Sequence, residues 1–133
     1  MGERDSIQQV IHEAYAARRL GDVDAVLALF SDSPSFAVAG SSTASPIACR
    51  CECTSTLRDA LNQLVGAFEF VEQDIHTILV DGDRAAVHWR GRVRSARTGE
   101  EAETEVVDLV TVRDGKIASF TQFCDTALAA RLA

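Results

Sequence analysis

The chain has 133 residues, 47% of them hydrophobic and 25% charged, with a formal net charge of −7. That length suits one domain, residues 1–133, burying about two-thirds of the surface its unfolded chain exposes. The acidic balance argues against nucleic acid or an anionic membrane as partner, and no apolar run nears the roughly 18 residues that span a bilayer.

The opening Met1-Gly-Glu-Arg-Asp-Ser6 lacks the apolar core of a signal peptide, so a cytoplasmic location is expected. It does fit the Met-Gly-x-x-x-Ser myristoylation pattern. Glu3 and Asp5 crowd that pattern, and no polybasic second signal follows it, so it is set aside.

Residues 5 to 20 predict an amphipathic helix, with Ile7, Val10, Ile11, Ala14, Tyr15 and Arg18 along one stripe. Asp5 or Ser6 can cap its start, and Gly21 fits the left-handed position past its end. Asp22 opens a second helix that turns Val23, Val26, Leu27 and Phe30 to one side. From Ser31 to Pro46 the composition is Ser, Pro, Gly and Thr, which predicts loops around a short strand at Phe36–Val38.

Cys49, Cys51 and Cys53 alternate with Arg50 and Glu52, and in an extended segment their thiols would share one face. Zinc sites space cysteines by two to four residues and need a fourth ligand. The three, like the distant Cys124, therefore read as small packing residues or exposed thiols rather than as a metal or redox centre. Residues 55 to 68 are helical again, with Leu57, Ala60, Leu61, Leu64 and Phe68 in phase.

From Phe70 to Cys124 the pattern has period 2, divided by Asp81-Gly82, Thr98-Gly99 and Asp114-Gly115. This predicts four consecutive antiparallel strands, followed by a helical tail over Asp125 to Ala133. A two-residue turn at Thr98-Gly99 would set Arg94 across from Glu103, Arg92 across from Glu105, and Trp89 across from Asp108. Arg90, Arg92 and Arg94 then form a solvated ion-pair ladder rather than a nucleic-acid patch. A three-residue loop at Asp114-Gly115-Lys116 would bring Gln122 opposite Asp108 and Cys124 opposite Val106. A two-residue turn at Asp81-Gly82 would bring His76 opposite Val87 on the inner face, and a one-residue slip would move it outside. His12 and His88 fall on polar faces.

Asp108 has the wrong polarity for its side. Its strand face otherwise carries Ala102, Thr104, Val106, Val110 and Val112. A buried carboxylate must be hydrogen-bonded, paired or protonated, so Asp108 is either a structural network member or the acid/base of a pocket.

The run from Tyr15 through Gly21-Asp22 to Phe30-Ser-Asp32 resembles the opening of ketosteroid isomerase-like and SnoaL-like domains of the nuclear transport factor 2-like superfamily. The run Asp114-Gly-Lys-Ile117 through Phe123-Cys-Asp-Thr-Ala127 is similar to that family's last strand and tail. The resemblance implies a cone-shaped α+β barrel. In it, N-terminal helices pack on a curved four- to six-stranded, mostly antiparallel sheet over a ligand pocket, and homodimers form through the sheet. It matches Asp108 to an oxyanion-hole aspartic acid that an apolar site keeps protonated. Trp89, Phe120 and Cys124 match pocket-lining positions. The base position falls on Val38, which takes no proton, so a true steroid isomerase is not expected. The oxyanion-hole tyrosine position falls on Ala14, with Tyr15 one residue late.

Two functions stay open. One is a cofactor-independent isomerase, cyclase, dehydratase or hydrolase acting on a small hydrophobic molecule, with Asp108 and His76 as acid/base residues and Tyr15, Val38, Trp89, Phe120, Gln122 and Cys124 around the ligand. The other is a non-catalytic ligand-binding or dimeric interaction module of the same fold. Neither calls for a metal or cofactor. Asp108→Asn turnover and Asp108→Ala ligand affinity would separate them.

Overall fold

The computed structural model describes residues 3–41, 43 and 47–133. Met1 and Gly2 of the myristoylation pattern and part of the Ser31–Pro46 segment lie outside these. Helix α1 (Glu3–Leu20) and helix α2 (Val23–Ala28) meet at the expected corner. Gly21 takes φ +72°, and the bonds Gly21 N–H to Arg18 C=O and Asp22 N–H to Ala17 C=O close a Schellman cap. Asp22 then caps α2 by accepting the Ala25 N–H at 3.0 Å. One dipeptide thus ends one helix and starts the next.

Phe30 belongs to strand β1 (Phe30–Val38), not to α2, and β1 is far longer than the expected Phe36–Val38. It runs parallel to the last strand, with a break in the ladder between Phe30 and Ser35 where Pro34 has no N–H to donate. Short β2 (Cys49–Cys51) pairs with its end, and α3 (Thr54–Ala67) follows. The thiols of Cys49 and Cys51, alternate residues of β2, lie beside each other, whereas Cys53 is the cap residue from which the chain turns into α3. Cys51 is buried, Cys49 half-buried and Cys53 exposed, and all are free.

The four consecutive strands are β3 (Phe68–Asp81), β4 (Arg84–Ser95), β5 (Glu101–Arg113) and β6 (Lys116–Phe123), and helix α4 (Thr126–Leu132) ends the chain. The sheet order is β2-β1-β6-β5-β4-β3. It is one curved, six-stranded mixed sheet that curls around the helices without closing, antiparallel except at β1 and β6. Buried Ile7, Ile11 and Tyr15 of α1 and Leu57 and Leu61 of α3 pack on its inner face. Among the described residues no helix is long and apolar enough to cross a membrane.

The registers differ from expectation in ways that matter for the site. Between β4 and β5, the four residues 96–99 loop out inside the bond from Ser95 N–H to Glu100 C=O at 2.8 Å. The buried Ser95 hydroxyl organises it, accepting the Thr98 N–H and donating to Leu132 C=O. Every pairing therefore moves by two residues and no side chain changes face. The ion ladder becomes Arg94–Glu101, Arg92–Glu103 and Arg90–Glu105, and Trp89 lies across from Val106, diagonal to Asp108. Asp114-Gly115 is a two-residue turn with both φ positive, and a bulge after Thr111 restores the expected Asp108–Gln122 pairing.

The β3–β4 turn sits one residue later than expected, and β3 carries two bulges, at Phe70/Glu72 and Ile75/Thr77. The second bulge holds His76, the extra residue between Ile75 and Thr77. It points His76 outward, with Nε2 3.7 Å from Asp74 and the ring 5.6 Å from that of His88. The bulges also bend the sheet. At the first, the Glu72 carbonyl comes so near Gly91 that a Cβ there would lie 2.2 Å from it.

Candidate functional site

The curled sheet and the helices line a half-open apolar cavity of about 110 Å³. Helix α1 presents Ala14, Tyr15 and Arg18 to it, β4 presents Trp89, β5 Thr104 and Val106, and β6 Phe120 and Gln122. Leu128 and Leu132 of α4 cover it. That cover is tied down: Leu132 C=O accepts from Ser95, Arg97 donates to Ala133 C=O at 2.9 Å, and Arg131 pairs with Glu100 at 2.8 Å. Asp125 caps α4 through the Leu128 N–H.

Asp108 lies behind this wall, fully buried. Its Oδ2 accepts two hydrogen bonds, one from the Tyr15 hydroxyl and one from the Trp89 indole N–H at 3.0 Å. Its Oδ1 has no hydrogen-bond partner among the described residues. Burial pushes its pKa up to about 6, against the opposing pull of the Tyr15, Trp89 and Gln122 donors. Gln122 favours the charged form from across the ladder, but its amide does not reach hydrogen-bond geometry with either oxygen. Tyr15 is held well above the ordinary tyrosine range, first by burial and then by the Asp108 charge. The hydroxyl therefore keeps its proton and donates it to the carboxylate. A tyrosine at the cavity wall and a buried acid behind it form one coupled unit.

Tyr15, Trp89, Phe120, Gln122 and Cys124 all line the cavity. The tyrosine that reaches Asp108 is Tyr15; Ala14, the aligned position, lines the same wall. Val38 does not line the cavity. Paired with Cys49 on one side and Gln122 on the other, it is packed into the core at 1% exposure, and Phe36 supplies the wall instead. His76 stands on the outer face, away from Asp108. The Cys124 thiol is pushed up by burial and by the Asp108 and Asp125 charges, which makes it a poor nucleophile. Among the described residues no three His, Cys, Asp or Glu side chains converge as metal ligands.

Arg18 and the α4 cover are site features that sequence reasoning missed. The first had a signal: an arginine on an otherwise apolar helical stripe, three residues after Tyr15. The second had none, because an alanine-rich tail does not say which surface it will close.

No curated protein matches the sequence. Solved structures do match in fold. A protein from Bacillus subtilis, provisionally named an isomerase, is 15% identical with a TM-score of 0.84, over 94% of this chain and 90% of the other. A nuclear transport factor 2-like protein of unknown function from Burkholderia pseudomallei is 19% identical with a TM-score of 0.81, over 96% of each chain. An epoxide hydrolase from M. tuberculosis, described as LEH-like, is 18% identical with a TM-score of 0.74, over 96% of this chain and 90% of the other. Identities this low establish the shared fold and nothing finer. The model of the SnoaL-like domain matches residues 11–120, which run from the middle of α1 to Phe120 at the cavity wall, and the chain belongs to that SnoaL-like family.

Proposed function

We propose that this protein binds a small, mainly apolar molecule in the cavity and moves a proton on it without a cofactor, in an isomerase- or lyase-type reaction. The observation that carries this reading is the Tyr15–Asp108 hydrogen bond at the wall of an apolar cavity, with the carboxyl poised near pH 6. Tyr15 is the group that meets the ligand. Asp108 acts through it, taking the phenolic proton as Tyr15 accepts one from the ligand, or returning it in the reverse sense. Trp89 fixes the carboxylate so that it cannot swing away. Isomerisation, dehydration, cyclisation and epoxide opening all need such a proton movement beside a carbon–oxygen group.

The alternative is a non-catalytic binding module. It is favoured by the sealing of Asp108 from the cavity and by Val38, which leaves β1 without a base. Turnover of a panel of ring ketones, alcohols and epoxides by the wild-type protein, Tyr15→Phe and Asp108→Asn separates the two. The enzyme reading expects each variant to lose roughly 10²-fold or more. Binding without turnover would leave the module reading, and no binding at all would sink both.

The reading treats residues 1–133 as one unit acting in the cytoplasm as a homodimer through the outer face of the sheet. Exposed Leu79, Leu109, Val107 and Phe123 on that face support it, since together they form an apolar surface that a second copy could cover.

A further inference from the structure

We propose that Arg18 anchors a carboxylate on the molecule that fills the cavity, so that the ligand is a small ring-bearing carboxylic acid; this rests on the cavity being a small-molecule site. Arg18 is mostly buried, and burial alone lowers its pKa, to about 10. No acid stands beside it. Of the described residues lining the cavity only Asp125 is acidic, and its Oδ1 is occupied by the Leu128 N–H at 3.0 Å. A protein of net charge −7 thus keeps one uncompensated cation at an apolar cavity.

The local structural work of Arg18 uses only part of its guanidinium. Nη2 donates to the carbonyls of Leu64 at 3.2 Å and Phe68 at 3.0 Å, closing the end of α3. The ring of Phe70 covers one face, its centroid 4.0 Å from Cζ. Nε and Nη1 carry no hydrogen bond to any described residue, and neither is among the fully enclosed polar atoms left without a partner. Both two-donor forks of a guanidinium include Nη2, which is taken by the two carbonyls, so Nε and Nη1 remain as separate single donors and a carboxylate would meet one charge-assisted N–H. Capping two carbonyls uses neither of these donors, and a mostly buried cation with no acid beside it is costly.

Position fixes the rest of the ligand. Tyr15 and Arg18 are three residues apart on one face of α1, about 4.5 Å along its axis. A molecule whose carboxylate sits on Arg18 therefore brings an adjacent ring, with its oxygen substituent, against the Tyr15 hydroxyl. A cavity of about 110 Å³ is close to the size that holds a single benzene ring.

The probes are benzoate and its neutral counterpart benzamide, titrated into the full chain with binding read by calorimetry and by the emission of Trp89. In the wild-type protein benzoate is expected to bind at least about tenfold tighter than benzamide. Arg18→Met is expected to abolish that preference, and Arg18→Lys to keep part of it as a point charge. Equal or tighter binding of benzamide to the wild type overturns the inference while leaving the cavity reading intact. So does a preference undiminished in Arg18→Met. Should Arg18→Met fail to fold, the wild-type ratio and Arg18→Lys decide. Failure of both probes to bind overturns this inference and the cavity reading together.

Discussion

The buried carboxyl of Asp108 should make this protein lose stability as pH rises through the weakly acidic range, opposite to the behaviour of a salt-bridged acid. In the folded state its pKa is about 6; in the unfolded chain it returns to about 3.8. Below both values the proton stays on in either state. Between them, unfolding releases a proton, so each rise in pH favours the unfolded chain. Above about pH 6 both states are ionised and the contribution is flat. A move from 3.8 to about 6 is worth about 3 kcal/mol. Asp108→Asn keeps the shape and an acceptor for Tyr15 and Trp89 but carries no titratable proton. Urea unfolding of both proteins, followed by circular dichroism from about pH 4 to pH 7, isolates the effect as a difference, because all other groups titrate in common. Relative to the variant, the wild type should lose about 2–2.5 kcal/mol of this over that interval and then level off. A difference that stays constant, or one that grows in favour of the wild type with pH, would refute the claim that desolvation dominates over the Tyr15 and Trp89 donors.

Tyr15→Phe removes a hydrogen bond that favours the charged carboxylate, so it should raise the Asp108 pKa above 6. Trp89, the single tryptophan, donates to the same oxygen, and a pH titration of its emission should show the midpoint moving upward. Gly91→Ala would place a Cβ 2.2 Å from the Glu72 carbonyl and 3.1 Å from the Trp89 ring. Because backbone has to yield, it should cost about 2–3 kcal/mol in chemical denaturation. Ser95→Ala leaves the Leu132 carbonyl without its buried donor. A loss of about 1–3 kcal/mol and faster amide exchange in α4 should follow, with the rest of the sheet unchanged. The exposed Cys53 thiol is lowered to about 7 by the hydroxyls of Ser55 and Thr56, whereas Cys51 and Cys124 are raised by burial. Iodoacetamide at neutral pH should therefore alkylate Cys53 first by mass spectrometry, and equal rates at all four cysteines would contradict this.

Much of the architecture was legible because it depends on short-range chemistry. The period-3.6 stripe of Ile7, Ile11 and Tyr15, the Gly21-Asp22 corner and the period-2 run around Asp108 each announce themselves within a few residues. Alternation alone identified Asp108 as an acid on an apolar face, and the outer arginines as partners of the facing glutamates. A two-residue change of register left both conclusions standing, since an even shift keeps every side chain on its face. Bulges are different. His76 moved outward because a single extra residue entered β3, and nothing in the sequence near Ile75 and Thr77 signals it.

What the sequence determined by itself was therefore which residues face inward and which fold they build. Only the tertiary structure decided which inward residues touch the cavity. It placed Asp108 behind Tyr15 and Trp89, buried Val38 in the core, lined one side of the cavity with α4 and left Arg18 without an acid beside it. The reason is physical: facing is a property of one element's own period, whereas reaching a cavity depends on side chains from α1, β4, β5 and β6 meeting across long stretches of chain, at distances no local pattern encodes.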